Sequence, residues 1–137
     1  MAVPERPVQV LWSREQDVRH DYYRPMALAR WRAELDVSGG APRLVSVAKR
    51  QVAQSPTDQF PTRVLGLPAQ GKPEGNAVEN PPYAFPFYRL EAVVAEGSVP
   101  VGFWRSVGHS HTAFFDESFV DELAVALKKD PLSLIHI

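Results

Sequence analysis

The sequence predicts an α+β fold in which antiparallel strands come first and a packed helix comes last. Two segments, Ala27 to Asp36 and Arg43 to Val52, alternate apolar and polar residues with the period of two that half-buried strands show. Towards the C-terminus an apolar stripe repeats at helical spacing, through Phe115, Phe119, Leu123, Ala126 and Leu127. The chain has 137 residues, which is about the size of one domain.

The N-terminal part predicts one short strand and then a long loop. Val8, Val10 and Trp12 alternate with Gln9 and Leu11, which favours a strand with one covered face. The next stretch, SREQDVRHDYY (13–23), is polar and aromatic, and we expect a loop there. Because proline disfavours helical backbone in the residue before it, Arg24 is expected to be extended.

The clearest strand in the sequence is MALARWRAELD (26–36). Trp31 and its alternate neighbours form an apolar face, whereas Arg30 and Arg32 lie on the opposite, wet face. Turn residues at 36–40, DVSGG, then separate this strand from the second one. The pair is therefore predicted to be an antiparallel hairpin.

A long proline-rich loop is predicted between Thr57 and Pro86. Seven of the 13 prolines lie between Pro56 and Pro86, and we expect at most one helical turn, near Thr62 to Leu67. Long connections of this kind are usually functional or mobile. Tyr88 to Val94 returns to strand spacing, and a packed helix is expected from Ser110 to Lys129. Ser110 or Thr112 is expected to cap this helix, with Asp116 and Glu117 near its positive end.

Composition excludes several classes of function. The net charge of −1 gives no electrostatic footprint for nucleic acid or an anionic membrane. There are no cysteines, which excludes disulfides, Cys-ligated zinc and a thiolate nucleophile within this chain. No apolar run reaches the roughly 20 residues of a membrane span.

Short motifs do not identify a catalytic or metal site. His20, His109 and His111 lack the spacing of a zinc-binding helix, so no metal ligand is predicted. Ser110 beside His111 lacks the Gly-x-Ser-x-Gly context of a hydrolase. The pair Asp17 and Asp21 fits an acid and base, or solvated carboxylates that pair with nearby arginines.

The loop from Gly102 to Gly108 is the strongest local candidate for binding. Its terminal glycines permit close backbone approach, the following helix points free N–H groups towards it, and Arg105 adds a positive charge. This arrangement suits an anionic or oxo-bearing group. The alternative is a structural loop with Trp104 buried and Arg105 paired to an acid.

Three blocks of the sequence carry a family resemblance. RPVQVLWSREQDVRHDYYRP (6–25), PYAFPFYRLEAVV (82–94) and VPVGFWRSVGHSHTAFFDESFVDELAVALKKDP (99–131) resemble the molybdopterin-binding large subunit of the xanthine dehydrogenase and aldehyde oxidase family. The isoquinoline 1-oxidoreductase β-subunit type is the most similar branch. The resemblance implies that the α+β unit is part of a larger molybdenum-binding domain.

The resemblance also implies roles for three residues. Arg24, ten residues after Arg14 of the Arg14-Glu15-Gln16-Asp17 block, matches an arginine in the family's substrate cavity. Trp104-Arg105-Ser106-Val107-Gly108 matches a loop that lies against the molybdenum centre, which implies cofactor binding by Arg105. Val107 stands where purine-hydroxylating relatives have a substrate-stacking phenylalanine, which weakens a purine assignment. No residue matches the family's catalytic glutamate or GGGFG loop, so no catalytic residue is expected in this fragment.

The implied parent enzyme hydroxylates an N-heterocycle or aldehyde with oxygen from water. Its expected cofactor is molybdenum-molybdopterin, in the cytosine dinucleotide form, and its expected partners are a [2Fe-2S] small subunit and a cytochrome electron acceptor. A periplasmic location is expected from the same branch, with the cytoplasm as the alternative. The rival interpretation is a stand-alone, non-catalytic binding domain derived from this family.

The two ends of the chain are expected to differ in origin. Residues 1–131 are interpreted as a fragment of the molybdopterin-binding domain. The last six residues, LSLIHI (132–137), match one reading frame of a transposon end used to prepare sequencing libraries, which predicts an adapter-derived tail. A natural apolar strand is the alternative.

Overall fold

The computed structural model describes residues 6–74 and 81–136, and it confirms the predicted α+β class. Three strands form one sheet, β1 (Ala27–Asp36), β2 (Arg43–Ala53) and β3 (Tyr88–Val94), in the order β1-β2-β3. The helices are α1 (Arg14–His20), α2 (Pro56–Leu65) and α3 (His109–Leu127), and a 3-10 helix spans Pro131–His136. Residues 75–80 of the predicted proline-rich loop lie outside the described residues.

The sheet is mixed, which corrects the prediction of antiparallel strands in one respect. β1 and β2 form the predicted antiparallel hairpin, with Ala27 opposite Ala53 and a register shift between Glu34 and Leu35. β3 instead pairs with β2 in parallel, from Val47 opposite Tyr88 to Ala53 opposite Val94. The long connection after β2 permits the parallel direction, since a parallel pair needs a crossover that a short turn does not provide.

Two N-terminal predictions are wrong. Residues 8–12 form no strand, and Val10, Leu11 and Trp12 are mostly exposed because no neighbouring strand pairs with them. Residues 14–20 form helix α1 where a loop was expected. The Ser13 hydroxyl accepts a hydrogen bond from the Gln16 N–H and the Gln16 side chain accepts one from the Ser13 N–H. This capping box stabilises the helix start.

Helix α2 also exceeds the single helical turn that the sequence predicted. Ser55 caps it by accepting from the Asp58 N–H, and Pro56 occupies the first turn, where its missing N–H costs nothing. Gly66 ends the helix with φ of 67°, a left-handed conformation that glycine adopts without steric penalty. The helix therefore fits between its caps despite Pro61.

The core lies between α3 and the inner face of the sheet. Trp31 of β1 stacks on Phe119 of α3, with ring centroids 4.7 Å apart. The buried apolar residues around this contact are Leu44, Val47, Tyr83, Val120, Leu123, Ala124, Leu127 and Leu134.

Ala126, predicted to belong to the buried stripe, is exposed. Leu134 lies in the 3-10 helix, so the tail is not a strand; its predicted adapter origin stays a prediction.

Candidate functional site

The loop Gly102–Gly108, called the site loop below, lies directly beside the segment that carries Arg24. Tyr23 and Val101 form a parallel β-bridge, in which the Tyr23 N–H donates to Pro100 O and the Gly102 N–H donates to Tyr23 O. Arg24 directly follows the bridge residue Tyr23 and precedes Pro25. Two predicted site segments that are about 80 residues apart in sequence are thus neighbours.

Arg24 contacts the site loop through its guanidinium group. The Arg24 Cζ lies 4.8 Å from the centroid of the Trp104 ring, within the range of a cation–π interaction. Trp104 is held by its indole Nε1, which donates to Tyr22 O at 2.8 Å. The two residues that the sequence assigned to substrate binding and to the cofactor loop therefore meet at one surface.

A second arginine, Arg63 of α2, completes what we call the arginine–aromatic cluster: Tyr22, Arg24, Arg63 and Trp104. The Arg63 Cζ lies 3.8 Å from the Tyr22 ring centroid, and its Nη2 donates to Val101 O at 3.2 Å. The Gln59 Oε1 accepts from the Val101 N–H at 3.2 Å. Helix α2 thus binds both polar backbone groups of the residue before the site loop.

The site loop has an unusual backbone conformation. Ser106 and Val107 have φ of 73° and 44°, and Val107 N–H donates to Trp104 O across a tight turn. Two consecutive left-handed residues without glycine are strained, above all at a β-branched valine. A side chain at Gly102 would approach Tyr22 Cβ to 2.5 Å, so only glycine fits there. The loop geometry depends on this close approach.

The cluster is open to solvent in this chain. Trp104 is 40% exposed and Phe103 51% exposed, while Arg24 and Arg105 are exposed and Val107 is half-buried. Among the described residues Arg105 forms no ion pair. The alternative of a buried Trp104 with a paired Arg105 is therefore wrong, and the charged groups remain available to a ligand.

A groove of about 280 Å³ lies beside the cluster. It is lined by Gln59, Thr62, Arg63, Gly97, Ser98 and Pro100. The sequence did not indicate Arg63 and Gln59 as site residues, because it predicted only one helical turn, near Thr62 to Leu67, in place of the whole of α2. The signal was present in Ser55-Pro56 with Asp58 two residues later and Gly66 at the end, a pattern typical of helix boundaries.

The start of α3 does not provide the predicted side-chain caps. Gly108 is the N-cap residue without a side-chain hydrogen bond, and the Ser110 hydroxyl donates to Val107 O at 2.7 Å. Thr112 is buried and does not cap the helix, and Asp116 and Glu117 lie beyond the first turn, so neither is at its positive end as predicted. Ser110 therefore supports the strained turn of the site loop.

The histidines do not form a site with each other. His111 lies 3.2 Å from the Gln51 amide nitrogen, and burial with the nearby Lys49 charge lowers the pKa of its ring. His20 Nδ1 contacts Gln16 O at 2.7 Å within α1. The described residues contain no group of three or more His, Asp or Glu side chains placed to hold a metal ion. Asp21 accepts from the Tyr22 N–H, as a loop carboxylate does.

Two curated proteins are similar to almost the whole chain. One is the isoquinoline 1-oxidoreductase subunit beta of Brevundimonas diminuta, 30% identical over 96% of this chain. The other is a membrane-bound, pyrroloquinoline-quinone aldehyde dehydrogenase of Gluconacetobacter polyoxogenes, 28% identical over 95% of this chain. The chain spans 17% of the length of each. No family model matches, and no solved structure matches significantly.

These similarities confirm the resemblance that the three sequence blocks predicted. Both relatives are oxidoreductases by name, and the first bears the name of the branch that the sequence indicated. In the part of the chain that the structure describes, no helix is long and apolar enough to cross a membrane.

Proposed function

We propose that this chain is part of the large subunit of a molybdopterin-dependent hydroxylase and supplies one wall of its active site. The observation that carries the proposal is the contact between Arg24 and Trp104, since it joins the predicted substrate residue to the predicted cofactor loop. The similarity to an isoquinoline 1-oxidoreductase subunit over 96% of the chain supports the same reaction class. The substrate would be an N-heterocycle or an aldehyde.

The residues present fit an anionic cofactor with an oxo-bearing metal. Arg24 lies over the Trp104 ring, Arg105 follows Trp104 in the sequence, and both arginines are exposed cations. The Arg105 backbone and side chain would hold the group, and no side chain of this chain would need to ligate the metal. When bound, molybdenum-molybdopterin would supply oxygen transfer from water to carbon and take up two electrons.

Arg24 would orient the substrate and stabilise negative charge on it. A guanidinium offers several N–H donors in a plane, and its charge is permanent. The stack on Trp104 restricts where that plane lies, which reduces the entropy lost on binding. Val107, half-buried in the strained turn, would border the substrate without the aromatic face that a purine would stack on.

Such an enzyme would need partners that carry its electrons away. A [2Fe-2S] small subunit would receive the electrons and pass them to an acceptor such as a cytochrome. The cytosine dinucleotide form of the cofactor and a periplasmic location are proposed from the resemblance. The general base of the reaction would be a residue that is not among these 137.

A second candidate is a quinone-dependent aldehyde dehydrogenase. The name of the second relative includes pyrroloquinoline-quinone, which favours this alternative. Metal analysis of the purified full-length enzyme separates the two, because molybdenum in stoichiometric amount supports the first and quinone without molybdenum supports the second. A full-length protein with neither cofactor and no oxidase activity would favour a non-catalytic binding domain.

The role of Arg24 is tested by Arg24→Met in the full-length enzyme. We expect kcat/KM to fall by the equivalent of about 2 to 4 kcal/mol, as for loss of one electrostatic stabiliser. Arg19→Met is the matched control, since Arg19 is exposed on α1 and lies outside the arginine–aromatic cluster. Unchanged kinetics with molybdenum fully loaded would remove Arg24 from the active site.

A further inference from the structure

The outer face of the sheet carries an ordered pattern of arginines and apolar residues. Arg30 of β1 lies opposite Arg50 of β2, and Arg50 lies opposite Glu91 of β3. The next row joins Arg32, Ala48 and Arg89. Together these six residues line a groove of about 630 Å³.

The positive charge of this face is only partly neutralised within the chain. Glu91 binds both Arg50 and Arg89, at 2.6 Å and 2.7 Å. Arg30 and Arg32 form no ion pair among the described residues, although both are exposed. Arginines placed directly opposite each other, as Arg30 and Arg50 are, repel. A partner with carboxylates would remove this repulsion.

An apolar row lies next to the arginines on the same face. Leu28 is opposite Val52, and Val52 is opposite Val93. Leu28 is 66% exposed and Val93 is 53% exposed. The outer surface of a nucleic-acid duplex is dominated by charged phosphates, whereas the cores of protein interfaces combine arginine with apolar side chains, as this face does.

The outer face of the sheet is uncovered in the part of the chain that the structure describes. Purely parallel sheets are packed on both faces, whereas antiparallel pairs commonly have one face in water, and this mixed sheet contains one pair of each kind. Here β2 and β3 are parallel, and α3 packs on the inner face with Trp31 and Val47. The outer face has no described element over it, which leaves one side of a parallel pair open.

We propose that the outer face of the sheet is a docking surface for an acidic protein partner, one that presents carboxylates beside apolar side chains. Arginine binds carboxylates in a planar, two-bonded geometry, so Arg30 and Arg32 are the specific contacts. The row of Leu28, Val52 and Val93 supplies the apolar contact at the edge. This surface is distinct from the arginine–aromatic cluster and does not depend on the proposed catalytic function.

The test uses the full 137-residue chain and a labelled synthetic peptide of glutamate and leucine, with binding measured by fluorescence anisotropy. We expect saturable binding that weakens with salt and falls by at least about tenfold when the peptide glutamates become glutamines. Arg30→Glu with Arg32→Glu should abolish it. Lys72→Glu with Lys129→Glu, an equal charge change at exposed positions elsewhere, should leave it intact.

Three outcomes would overturn the proposal. Equal binding of the glutamine peptide would show an apolar surface without charge recognition, and tighter binding of a DNA duplex would show a nucleic-acid surface. No binding of the glutamate peptide would show that the face takes no such partner. Circular dichroism of both double variants checks folding, and Arg30→Gln with Arg32→Gln replaces the charge reversal if that variant unfolds.

Discussion

Lys49 and Asp116 form an ion pair inside the core. The Lys49 Nζ lies 2.7 Å from Asp116 Oδ1, and the two side chains are only 2% and 10% exposed. The Lys49 ammonium also lies 5.0 Å from the Trp31 ring centroid. Burial raises the pKa of Asp116 although Lys49 opposes that change. The pair links β2 to α3, and so fixes how the helix that follows the site loop lies on the sheet.

Removal of one partner of this pair should destabilise the fold strongly. Lys49→Met leaves the Asp116 carboxylate buried without its cation, and we expect the free energy of unfolding to fall by about 3 to 5 kcal/mol. Urea denaturation measures this change in the free energy of unfolding. Arg43→Met is the control, because Arg43 pairs with Asp36 at 3.3 Å on the surface, where loss of a pair costs about 0 to 1 kcal/mol.

The double variant Lys49→Met with Asp116→Leu separates charge from packing. Replacement of both ions by apolar residues of similar volume is often neutral or stabilising. A double variant as unstable as Lys49→Met would mean that the shape of the side chains at this position, and not the unpaired charge, determines the loss of stability.

The same core holds Tyr88, whose burial raises the pKa of its hydroxyl to about 12.

At the scale of elements, α2 positions the site loop and is itself held at its N-terminus by Glu74. The Glu74 carboxylate accepts from Thr57 N–H at 2.7 Å, Thr57 Oγ1 at 2.8 Å and Ser55 Oγ at 3.1 Å. A carboxylate at this end also favours the helix dipole. Gln59 and Arg63 of α2 bind Val101, the residue before the site loop. Glu74 therefore stabilises the position of the site loop indirectly, through α2.

Glu74→Ala should therefore loosen α2. We expect a loss of about 1.5 to 3 kcal/mol, the range for a buried hydrogen bond to a charged group. Faster hydrogen exchange in α2 and at Val101 is the more specific measurement. Glu96→Ala, at an exposed position, should change stability by no more than about 0.5 kcal/mol. Unchanged exchange at Val101 in Glu74→Ala would contradict the link between α2 and the site loop.

At the scale of the whole molecule, the core includes the C-terminal segment. Leu134 is 1% exposed and packs in the cluster that contains Val120, Leu123 and Leu127, whereas Leu132 is 71% exposed. The helix α3 is thus covered by residues that follow it as well as by the sheet. The packing of Leu134 holds whatever the origin of the tail.

Leu134→Ala tests this packing. Loss of a fully buried leucine should reduce the free energy of unfolding by about 2 to 5 kcal/mol, from lost burial and the cavity left behind. Leu132→Ala is the matched control two residues away and should have little effect. Equal stability of the two variants would show that the 3-10 helix does not belong to the core.

The sequence by itself determined the elements whose signal is local. The alternation around Trp31, the turn at 36–40, strand β3 and helix α3 were all predicted with nearly their observed bounds, because period and turn residues depend only on neighbours. The prediction failed at 8–12, where a strand pattern has no partner to pair with. It also failed at α1 and α2, where capping residues outweighed polar and proline-rich composition.

Only the tertiary structure decided what the elements do together. Parallel pairing of β3, the buried contact of Lys49 with Asp116 and the binding of Val101 by α2 join residues far apart in sequence, and no local pattern specifies such partners. Arg24 and Arg105 were named from the resemblance, but the contact of Arg24 with Trp104 came from the fold. The cluster of arginines on the outer face of the sheet forms only when the three strands are aligned. The net charge of −1 is a sum over the whole chain, so it does not reveal that one surface is positive.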